Sequence, residues 1–324
     1  MIKWRSQFDQ DIYNNILIPV LRDRPTTVFV GAGLSFHAGC PLLDELIETL
    51  HTAAINHTGK ELILNGDWKE KAQICKRELG VANFNQILID KFNPENRRLN
   101  FTSLHTSLIQ IPFKSIVTTN FDSCIELADR DSKIWRTFYY PNLNVIELGN
   151  KSIQHIHGYI DPENPNGTVG SIILTSEDFI EAYRDNPGSV KRFLVDLFSL
   201  HNVIFLGFNL GDETLMEILE IVKQGRGEKQ QIAKSRQLPS ISETVHFAIL
   251  ENPTEVRIDG KLLGDQNEKE RIIRDQDVTL QYLGVHPIRY AWDENYKSVE
   301  NIIDDMKALT SVLDLKRSEA GDLI

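Results

Sequence analysis

The chain has 324 residues, of which 35 are Lys or Arg and 46 are Asp or Glu, so its formal net charge at pH 7 is −11. Charged residues make up 25% of the chain and hydrophobic residues 41%, which is typical of a soluble globular protein of one large or two small domains. The acidic balance argues against direct binding of nucleic acid, because that requires a clustered basic surface.

Cysteine usage and the N-terminal segment indicate the compartment. Cys40, Cys75 and Cys124 are scattered and form no C-x-x-C pair, which fits a reducing environment and excludes a disulfide framework. The N-terminal segment has no apolar stretch typical of a secretory signal, and no apolar run approaches the roughly 18 residues of a membrane span. We therefore expect a cytoplasmic protein that does not span a membrane.

Short, continuous apolar runs, typical of strands buried on both faces, recur along the chain. They predict strands at residues 26–33, 115–122, 152–158, 171–175, 203–208, 244–250 and 286–292. Helical patterns separate most of these runs. We therefore predict an α/β fold, a Rossmann-like and mostly parallel sheet with helices on both faces.

The helical segments follow from apolar spacing. A helix is predicted at residues 8–21, and another after Pro41, with its apolar face formed by Leu42, Leu43, Leu46, Ile47 and Leu50. The connection to the second strand is too long for a simple crossover, which predicts a helical insertion at about residues 51–110. The polar residues 222–243 predict a flexible surface loop. We expect a single domain over residues 1–324, ending in a strand–helix segment at about 280–324.

The first predicted strand runs into a glycine-containing turn and then a helix. Its residues are Gly31, Ala32, Gly33, Leu34 and Ser35. Glycines at such a turn let the backbone approach a pyrophosphate, and a helix N-terminus would present N–H groups and a positive dipole end. The strict G-x-G-x-x-G fingerprint is not met, because residue 36 is Phe, and a tight structural turn explains the glycines equally well.

Polar residues end the second predicted strand. Thr118, Asn120 and Asp122 stand at its carboxyl end, where open α/β sheets bind ligands. Asp122 also precedes a helical segment, so capping of that helix and catalysis are both consistent with its position. Asn120 is harder to explain by capping, since one capping side chain is enough.

Two histidines lie two residues apart in the third predicted strand, and so on one face of it. Metal ligation by His155 and His157 is conceivable, but no carboxylate or cysteine with matching spacing accompanies them. His157 stands immediately before Gly158 at the strand end, where a ligand can approach closely. A packing role and a functional role are both consistent with the position of His157.

A further glycine-punctuated exit follows the predicted strand at residues 203–208. It comprises Gly207, Phe208, Asn209, Leu210, Gly211 and Asp212. This exit suits a second part of the same ligand. A turn into the next helix, with Asp212 as its N-cap, is the structural alternative.

Taken in order, the segments GAGLS, TTNFD, HIHG and LGFNLGD resemble the sirtuin-like superfamily, and most closely its bacterial NAD-cleaving branch in anti-phage defence, such as the Thoeris effector. Gly39-Cys40-Pro41 and the segment Leu174-Thr175-Ser176-Glu177-Asp178-Phe179 add to the resemblance, which covers about residues 26–220. The four-cysteine zinc module of deacylating sirtuins is missing, as is their Asp-Phe-Arg after the first glycines. Asn209 stands where relatives more often have Ser. Protein deacylation is therefore the least expected activity.

The resemblance implies hydrolysis of NAD+ to nicotinamide and ADP-ribose without a metal. His157 would act as the base, since the ordinary pKa of histidine is near 6.5. Asn120 would hold the attacking water or a ribose hydroxyl, and Asp122 would stabilise the ribose region or orient Asn120. The pyrophosphate would bind at Gly31, Ala32, Gly33 and Ser35 beside Thr118, and the adenosine half at Gly207, Phe208 and Asn209.

Relatives of this kind imply that activity is gated, since uncontrolled loss of NAD would kill the host. We therefore expect a homo-oligomer, a separately encoded partner such as an ATP-driven translocase, or both. Two alternatives are a subunit that binds NAD or ADP-ribose without cleaving it, and a dehydrogenase. The broken glycine fingerprint disfavours the dehydrogenase.

Overall fold

A computed structural model describes residues 2–184, 188–208, 210, 212–235, 244–252, 257–258, 261–262, 265–291 and 297–321. Asn209, residues 236–243 of the predicted loop at 222–243, and Trp292 lie outside the described residues.

Within the described residues, seven strands form one sheet, and two short strands form a separate antiparallel pair. The strands are β1 (Thr26–Val30), β2 (Ser115–Thr118), β3 (Arg136–Tyr139), β4 (Ser152–His155), β5 (Asn202–Leu206), β6 (His246–Asn252), β7 (Arg257–Ile258), β8 (Lys261–Leu262) and β9 (Val285–Ala291). The sheet order is β3-β4-β2-β1-β5-β6-β9. The pairs β2–β4, β3–β4, β5–β6 and β6–β9 are parallel, which confirms the predicted Rossmann-like α/β class.

Helices occupy most of the connections. They are α1 (Gln7–Ile12), α2 (Ile18–Asp23), α3 (Leu43–Thr58), α4 (Trp68–Phe92), α5 (Ser103–Gln110), α6 (Cys124–Ala128), α7 (Pro165–Thr168), α8 (Ser176–Ala182), α9 (Val190–Leu200), α10 (Glu213–Ser235), α11 (Gln266–Tyr282) and α12 (Lys297–Gly321). A π-helical turn at Tyr13–Leu17 joins α1 to α2, so the predicted helix at residues 8–21 is present. Among the described residues, none of these helices is both long and apolar enough to cross a bilayer.

Six of the seven predicted strands are present, and the prediction of a strand at 171–175 is wrong. There the chain leaves a 3₁₀ turn at Val169–Ser171 and Thr175 caps α8, so the apolar run is a buried extended connection. Sequence reasoning missed β3, because its residues are at most half-buried and lack a continuous apolar run. The prediction of a flexible loop at 222–243 is also wrong for residues 222–235, because α10 continues to Ser235.

The chain divides into two compact units. The first comprises Met1–Phe29, Ser107–Lys114 and Leu197–Ile324, and the second comprises Val30–Thr106 and Ser115–Asp196. In the first unit, the Phe29 ring packs against Phe205 and Phe208 at centroid distances of 5.3 and 5.1 Å.

The second unit contains α3 and α4, whose apolar faces form a buried cluster. Leu46, Ile47 and Leu50 of α3 are buried, as their helical spacing predicts. The α4 segment is interrupted at Gly80, where φ is 73° and ψ is 155°, a backbone conformation that favours glycine. These helices lie between β1 and β2, in the stretch where the sequence predicts helices rather than strands.

Candidate functional site

Two neighbouring strands of the second unit place two candidate residues at the same edge. Thr118 of β2 is opposite His155 of β4, and the backbone N–H of Ile156 donates to the Thr118 carbonyl at 2.9 Å. Asn120 and His157 each follow this pair by two residues, and each is 7% exposed. The carboxyl ends of two parallel strands therefore present both side chains at one edge of the sheet.

The amide of Asn120 is fixed in orientation. Its Nδ2 donates to the Gly31 carbonyl and to Ser35 Oγ, both at 3.2 Å, while its backbone N–H donates to Thr118 Oγ1 at 3.0 Å. Thr118 Oγ1 donates in turn to the Val30 carbonyl at 2.9 Å. Asn120 Oδ1 is buried and has no hydrogen-bond partner in the described part of the chain. A buried acceptor without a partner is costly, and it suits a donor on a bound ligand or a water.

Ser35 lies at the centre of this arrangement and is 1% exposed. Its hydroxyl donates to Asp122 Oδ1 at 3.1 Å, accepts from Asn120 Nδ2, and lies 3.3 Å from His105 Nε2. A hydroxyl offers one donor and two acceptor positions, and these contacts use all three. The Ser35 hydroxyl is therefore engaged within the protein rather than directed at a phosphate.

Asp122 is an ionised, fully buried carboxylate. Burial favours its neutral form, but hydrogen bonding from Cys124 and the nearby His105 and Arg97 outweigh burial and hold the pKa of Asp122 below its usual value. Its Oδ1 accepts from the Cys124 backbone N–H at 3.0 Å, at the first residue of α6, and also from Ser35 Oγ. Asp122 thus accepts from the first residue of α6, whose N-cap is Ser123, and supports the Asn120 arrangement.

His105 is a neutral histidine whose tautomer follows from its contacts. Its Nδ1 accepts from the backbone N–H of Thr102 at 3.1 Å, so in the neutral ring the proton is on Nε2, which faces Ser35 Oγ. Burial outweighs the opposing effect of Asp122 and, with a smaller contribution from Arg97, lowers the pKa of His105 to about 4. His105 is a donor to Ser35 at neutral pH.

Arg97 supplies the positive charge beside Asp122. Its Nη1 donates to the sulfur of Cys40 at 3.1 Å and of Cys124 at 2.7 Å, and its Nη2 donates to Ser123 Oγ at 3.4 Å. Ligand atoms of Cys40, Asp122 and Cys124 lie within 4.8 Å of one another, as in some metal sites, but the guanidinium already engages both sulfurs. That no metal is needed stays a prediction.

The two histidines of the His-x-His pair have different environments. The prediction that they share a strand face is wrong, because β4 ends at His155 and His157 lies in the following turn. His155 Nδ1 donates to the Asn120 carbonyl at 2.8 Å and Nε2 donates to Glu126 Oε1 at 2.7 Å. Burial opposes the charge, but Glu126 and this carbonyl raise the pKa of His155. His155 is therefore a cation in an internal ion pair, with both nitrogens engaged.

His157 is held by aromatic residues of α8 and the residue after it. Its Nε2 lies 2.7 Å from the Tyr183 hydroxyl, and its ring meets the Phe179 ring at a centroid distance of 5.1 Å and 72°. Gly158 has φ +90°, and a Cβ there would lie 2.3 Å from the Ser171 carbonyl oxygen. Only glycine fits this close approach, so the turn that carries His157 is tightly specified.

The glycine turn after β1 differs from the prediction. Two 3₁₀ turns follow, Ala32–Leu34 and Phe36–Ala38, and α3 begins only at Leu43. The expected helix N-terminus directly after the glycines is therefore wrong. Within the first turn, the N–H groups of Leu34 and Ser35 donate to the Gly31 and Ala32 carbonyls at 3.2 and 3.1 Å. The first N–H groups of a helical turn, here those of Ala32 and Gly33, have no partner within it and can face an anion.

Gly207 and Phe208 belong to the first unit, and Asn209 lies outside the described residues. Gly207 has φ +62° at the end of β5. Asp212 Oδ1 accepts from the backbone N–H of Thr214 at 2.8 Å, so Asp212 begins α10, which confirms the structural alternative for that residue.

Sequence reasoning missed His105, Arg97 and Tyr183. His105 and Ser35 are 70 positions apart, and no local pattern relates them. Tyr183 had a weak signal, because it follows Phe179 by four residues and the two rings stack at 5.3 Å on one side of α8.

The chain is similar to several known proteins. It is 29% identical over 212 residues to "NAD(+) hydrolase ThsA" of Enterococcus faecium, covering 63% of this chain and 41% of that protein. It is 28% identical over 201 residues to the protein of the same name from Bacillus cereus (strain MSX-D12), covering 60% of this chain and 39% of that protein. "Defense-associated sirtuin 2" of Bacillus subtilis is 23% identical over 262 residues, covering 78% of this chain and 25% of that protein.

The chain therefore spans about two fifths or less of these relatives. A crystal structure of a Sir2 homologue–NAD complex aligns with 90% of this chain and 94% of that chain, at 13% identity and a TM-score of 0.44. A family model described as a SIR2-like domain matches residues 114–280, which is more than half of the chain. The chain belongs to the SIR2-like family.

Proposed function

We propose that the chain hydrolyses NAD+ to nicotinamide and ADP-ribose. The observation that carries the proposal is the fixed amide of Asn120, whose buried Oδ1 is without a partner in the described residues, on the strand exit next to that of His157. Such an oxygen can accept from a ribose hydroxyl or from the attacking water. Relatives named NAD+ hydrolases, which match about three fifths of the chain, support the same chemistry.

The chemistry needs little acid catalysis. Breaking the bond between C1′ of the ribose and the nicotinamide nitrogen leaves its electron pair on that nitrogen, and nicotinamide departs as a neutral molecule. The ribose then carries oxocarbenium-like charge, water adds to C1′, and His157 takes the proton released by that water. Asn120 orients the nucleophile, a contribution of the kind that preorganised polar groups make.

The remaining candidate residues bind NAD+ or hold Asn120 in position. We assign the pyrophosphate to the backbone N–H groups of Ala32 and Gly33. That the adenosine half binds at Gly207, Phe208 and Asn209 stays a prediction from the sequence. The side chains of Ser35, Thr118 and Asp122 are engaged inside the protein, so they hold Asn120 rather than contact NAD+. In this role Asp122 orients Asn120 through Ser35.

We further propose that this activity depletes NAD in anti-phage defence and is gated by oligomerisation or by a partner protein such as an ATP-driven translocase. The name of one relative, a defence-associated sirtuin, supports that setting. The net charge of −11 supports a link to DNA that runs through a partner rather than through this chain. Mass photometry of the purified chain, alone and with products of neighbouring genes, reports its assembly state, and NAD+ cleavage is measured on the same samples. A chain that is monomeric and fully active alone would refute gating.

The test of hydrolysis is incubation with NAD+ in H₂¹⁸O, followed by mass spectrometry of the products. Hydrolysis places one ¹⁸O on C1′ of ADP-ribose and releases one nicotinamide per NAD+. Cyclisation or transfer of ADP-ribose releases nicotinamide without that label. No product over hours, together with tight calorimetric binding of NAD+, would instead support a non-catalytic binding subunit.

A further inference from the structure

We infer that His105 is a positioning residue for the proposed hydrolysis, acting through Ser35 on Asn120. The inference rests on the proposed function. It goes further by assigning a role to a buried histidine on α5 that lies outside every motif of the sequence analysis.

The tautomer of His105 follows from a neighbouring group that can only donate a hydrogen bond. A backbone N–H always donates, so the contact from Thr102 N–H at 3.1 Å makes Nδ1 an acceptor. The Thr102 hydroxyl, 3.0 Å away, reaches the same nitrogen. The ring proton is therefore on Nε2, which lies 3.3 Å from Ser35 Oγ. His105 thus donates to Ser35.

The neighbours of Ser35 determine where its hydroxyl proton points, and through it the orientation of the Asn120 amide. The ionised Asp122 accepts only, so the Ser35 proton points to its Oδ1 at 3.1 Å. Ser35 Oγ then offers its two lone pairs, one to His105 Nε2–H and one to the Asn120 amide at 3.2 Å. The group of Asn120 that faces Ser35 must therefore be the donor Nδ2, which leaves Oδ1 as the group without a partner among the described residues.

His105 contributes to this set of hydrogen bonds because it restricts where the Ser35 hydroxyl can point. Without the Nε2 donor, Ser35 gains an open lone pair and rotational freedom, and Asn120 loses the restraint on its amide plane. A base or nucleophile-orienting group held loosely by about 1 Å loses much of its rate contribution. His105 touches neither the ligand-facing oxygen nor His157 in any described contact, so its effect must pass through Ser35.

The test uses two substitutions of His105, each of which preserves the hydrogen bond made by a different ring nitrogen. His105→Gln places an amide donor near the Nε2 position and keeps the contact to Ser35. His105→Asn places its amide near the Nδ1 position, keeps the Thr102 contact and loses the one to Ser35. We expect His105→Asn to lower kcat/KM for NAD+ roughly tenfold and His105→Gln to restore most of it.

A double-mutant cycle separates positioning from a general structural role. In a Ser35→Ala chain, His105→Asn should have no further effect on kcat/KM, since its route to Asn120 is already broken. Equal losses in both backgrounds, or a His105→Gln chain as impaired as His105→Asn at the same thermal stability, would overturn the inference.

Two further measurements test the role of His105 without relying on turnover of NAD+. The same cycle is measured by calorimetric binding of NAD+ to chains carrying His157→Ala, so that absence of turnover, which refutes hydrolysis, does not remove the test of His105. ¹⁵N NMR of the full chain should show His105 protonated on Nε2 and not on Nδ1 at pH 7. The opposite tautomer would contradict the inference in the unsubstituted protein.

Discussion

The Tyr183 hydroxyl lies 2.7 Å from Nε2 of His157. Tyr183 stands at the C-terminal end of α8, whose first turn is fixed by a capping box in which Thr175 and Asp178 bond to each other's backbone N–H groups. Asp178 also pairs with Lys76 of α4 at 3.0 Å. The hydroxyl that meets the proposed base therefore comes from a helix anchored at its other end.

Replacing Tyr183 by Phe should lower kcat/KM for NAD+ by about tenfold, because a general base depends on a second group that holds its ring in orientation. The phenyl ring keeps the stacking on Phe179, so the loss reports the hydroxyl alone. Steady-state kinetics with Tyr282→Phe, an exposed tyrosine on α11, provides the control. Equal activity of the two variants would show that the hydroxyl does not assist His157.

The turn at Gly158 should tolerate no side chain. Gly158→Ala combines a positive φ with a contact of 2.3 Å to the Ser171 carbonyl oxygen, whereas Gly59, with φ +67°, has open space at its Cβ position. We expect Gly59→Ala to lower the free energy of unfolding by about 1 kcal/mol and Gly158→Ala by about 1–3 kcal/mol more. Urea unfolding measures both, and equal losses would mean that the turn relaxes freely.

Neutral His105 predicts a loss of stability in acid. The unfolded chain protonates this residue near pH 6.5, but the folded chain only near pH 4, so between these values the unfolded state binds more protons. The free energy of unfolding should fall by up to about 3 kcal/mol from this residue as the pH drops from 6.5 to 4. Urea unfolding across this range should show a shallower slope for His105→Gln, and an unchanged slope would contradict the neutral state.

His155 predicts the opposite pH dependence. Its pKa is raised in the folded chain, so its contribution to stability is complete below the unfolded value near 6.5 and is lost as the pH rises through the folded pKa. Glu126→Gln keeps an acceptor for Nε2 but removes the charge that favours the cation. Thermal unfolding between pH 6.5 and 8.5 should therefore decline less with pH in Glu126→Gln than in the unsubstituted chain. Parallel declines would show that another group is responsible.

Much of the fold follows from sequence because buried parallel strands are continuous apolar runs. β1, β5 and β6 could be predicted for that reason, whereas the edge strand β3 is only half-buried and carries no such run. The connection at residues 171–175 shows the converse, since an apolar run can be buried as extended chain without pairing.

The candidate site was predicted only at the strand exits. Asn120 and His157 could be identified because polar residues at the carboxyl ends of strands are a local signal. The contact between His105 and Ser35 joins residues 70 positions apart, and the one between Arg97 and Cys40 joins residues 57 apart. Pairings at such separations depend on tertiary packing, which periodicity does not encode.

We propose that Asn120 and His157 together cleave NAD+. The most direct measurement is the rate of nicotinamide release by the purified chain, alone and with its neighbouring gene products, for Asn120→Ala and His157→Ala. Asn56→Ala and His57→Ala, at exposed positions on α3, are the controls. We predict that the first two variants lose release, with thermal unfolding close to that of the unsubstituted chain, while both controls retain it. Release at the unsubstituted rate by both Asn120→Ala and His157→Ala would contradict the assignment.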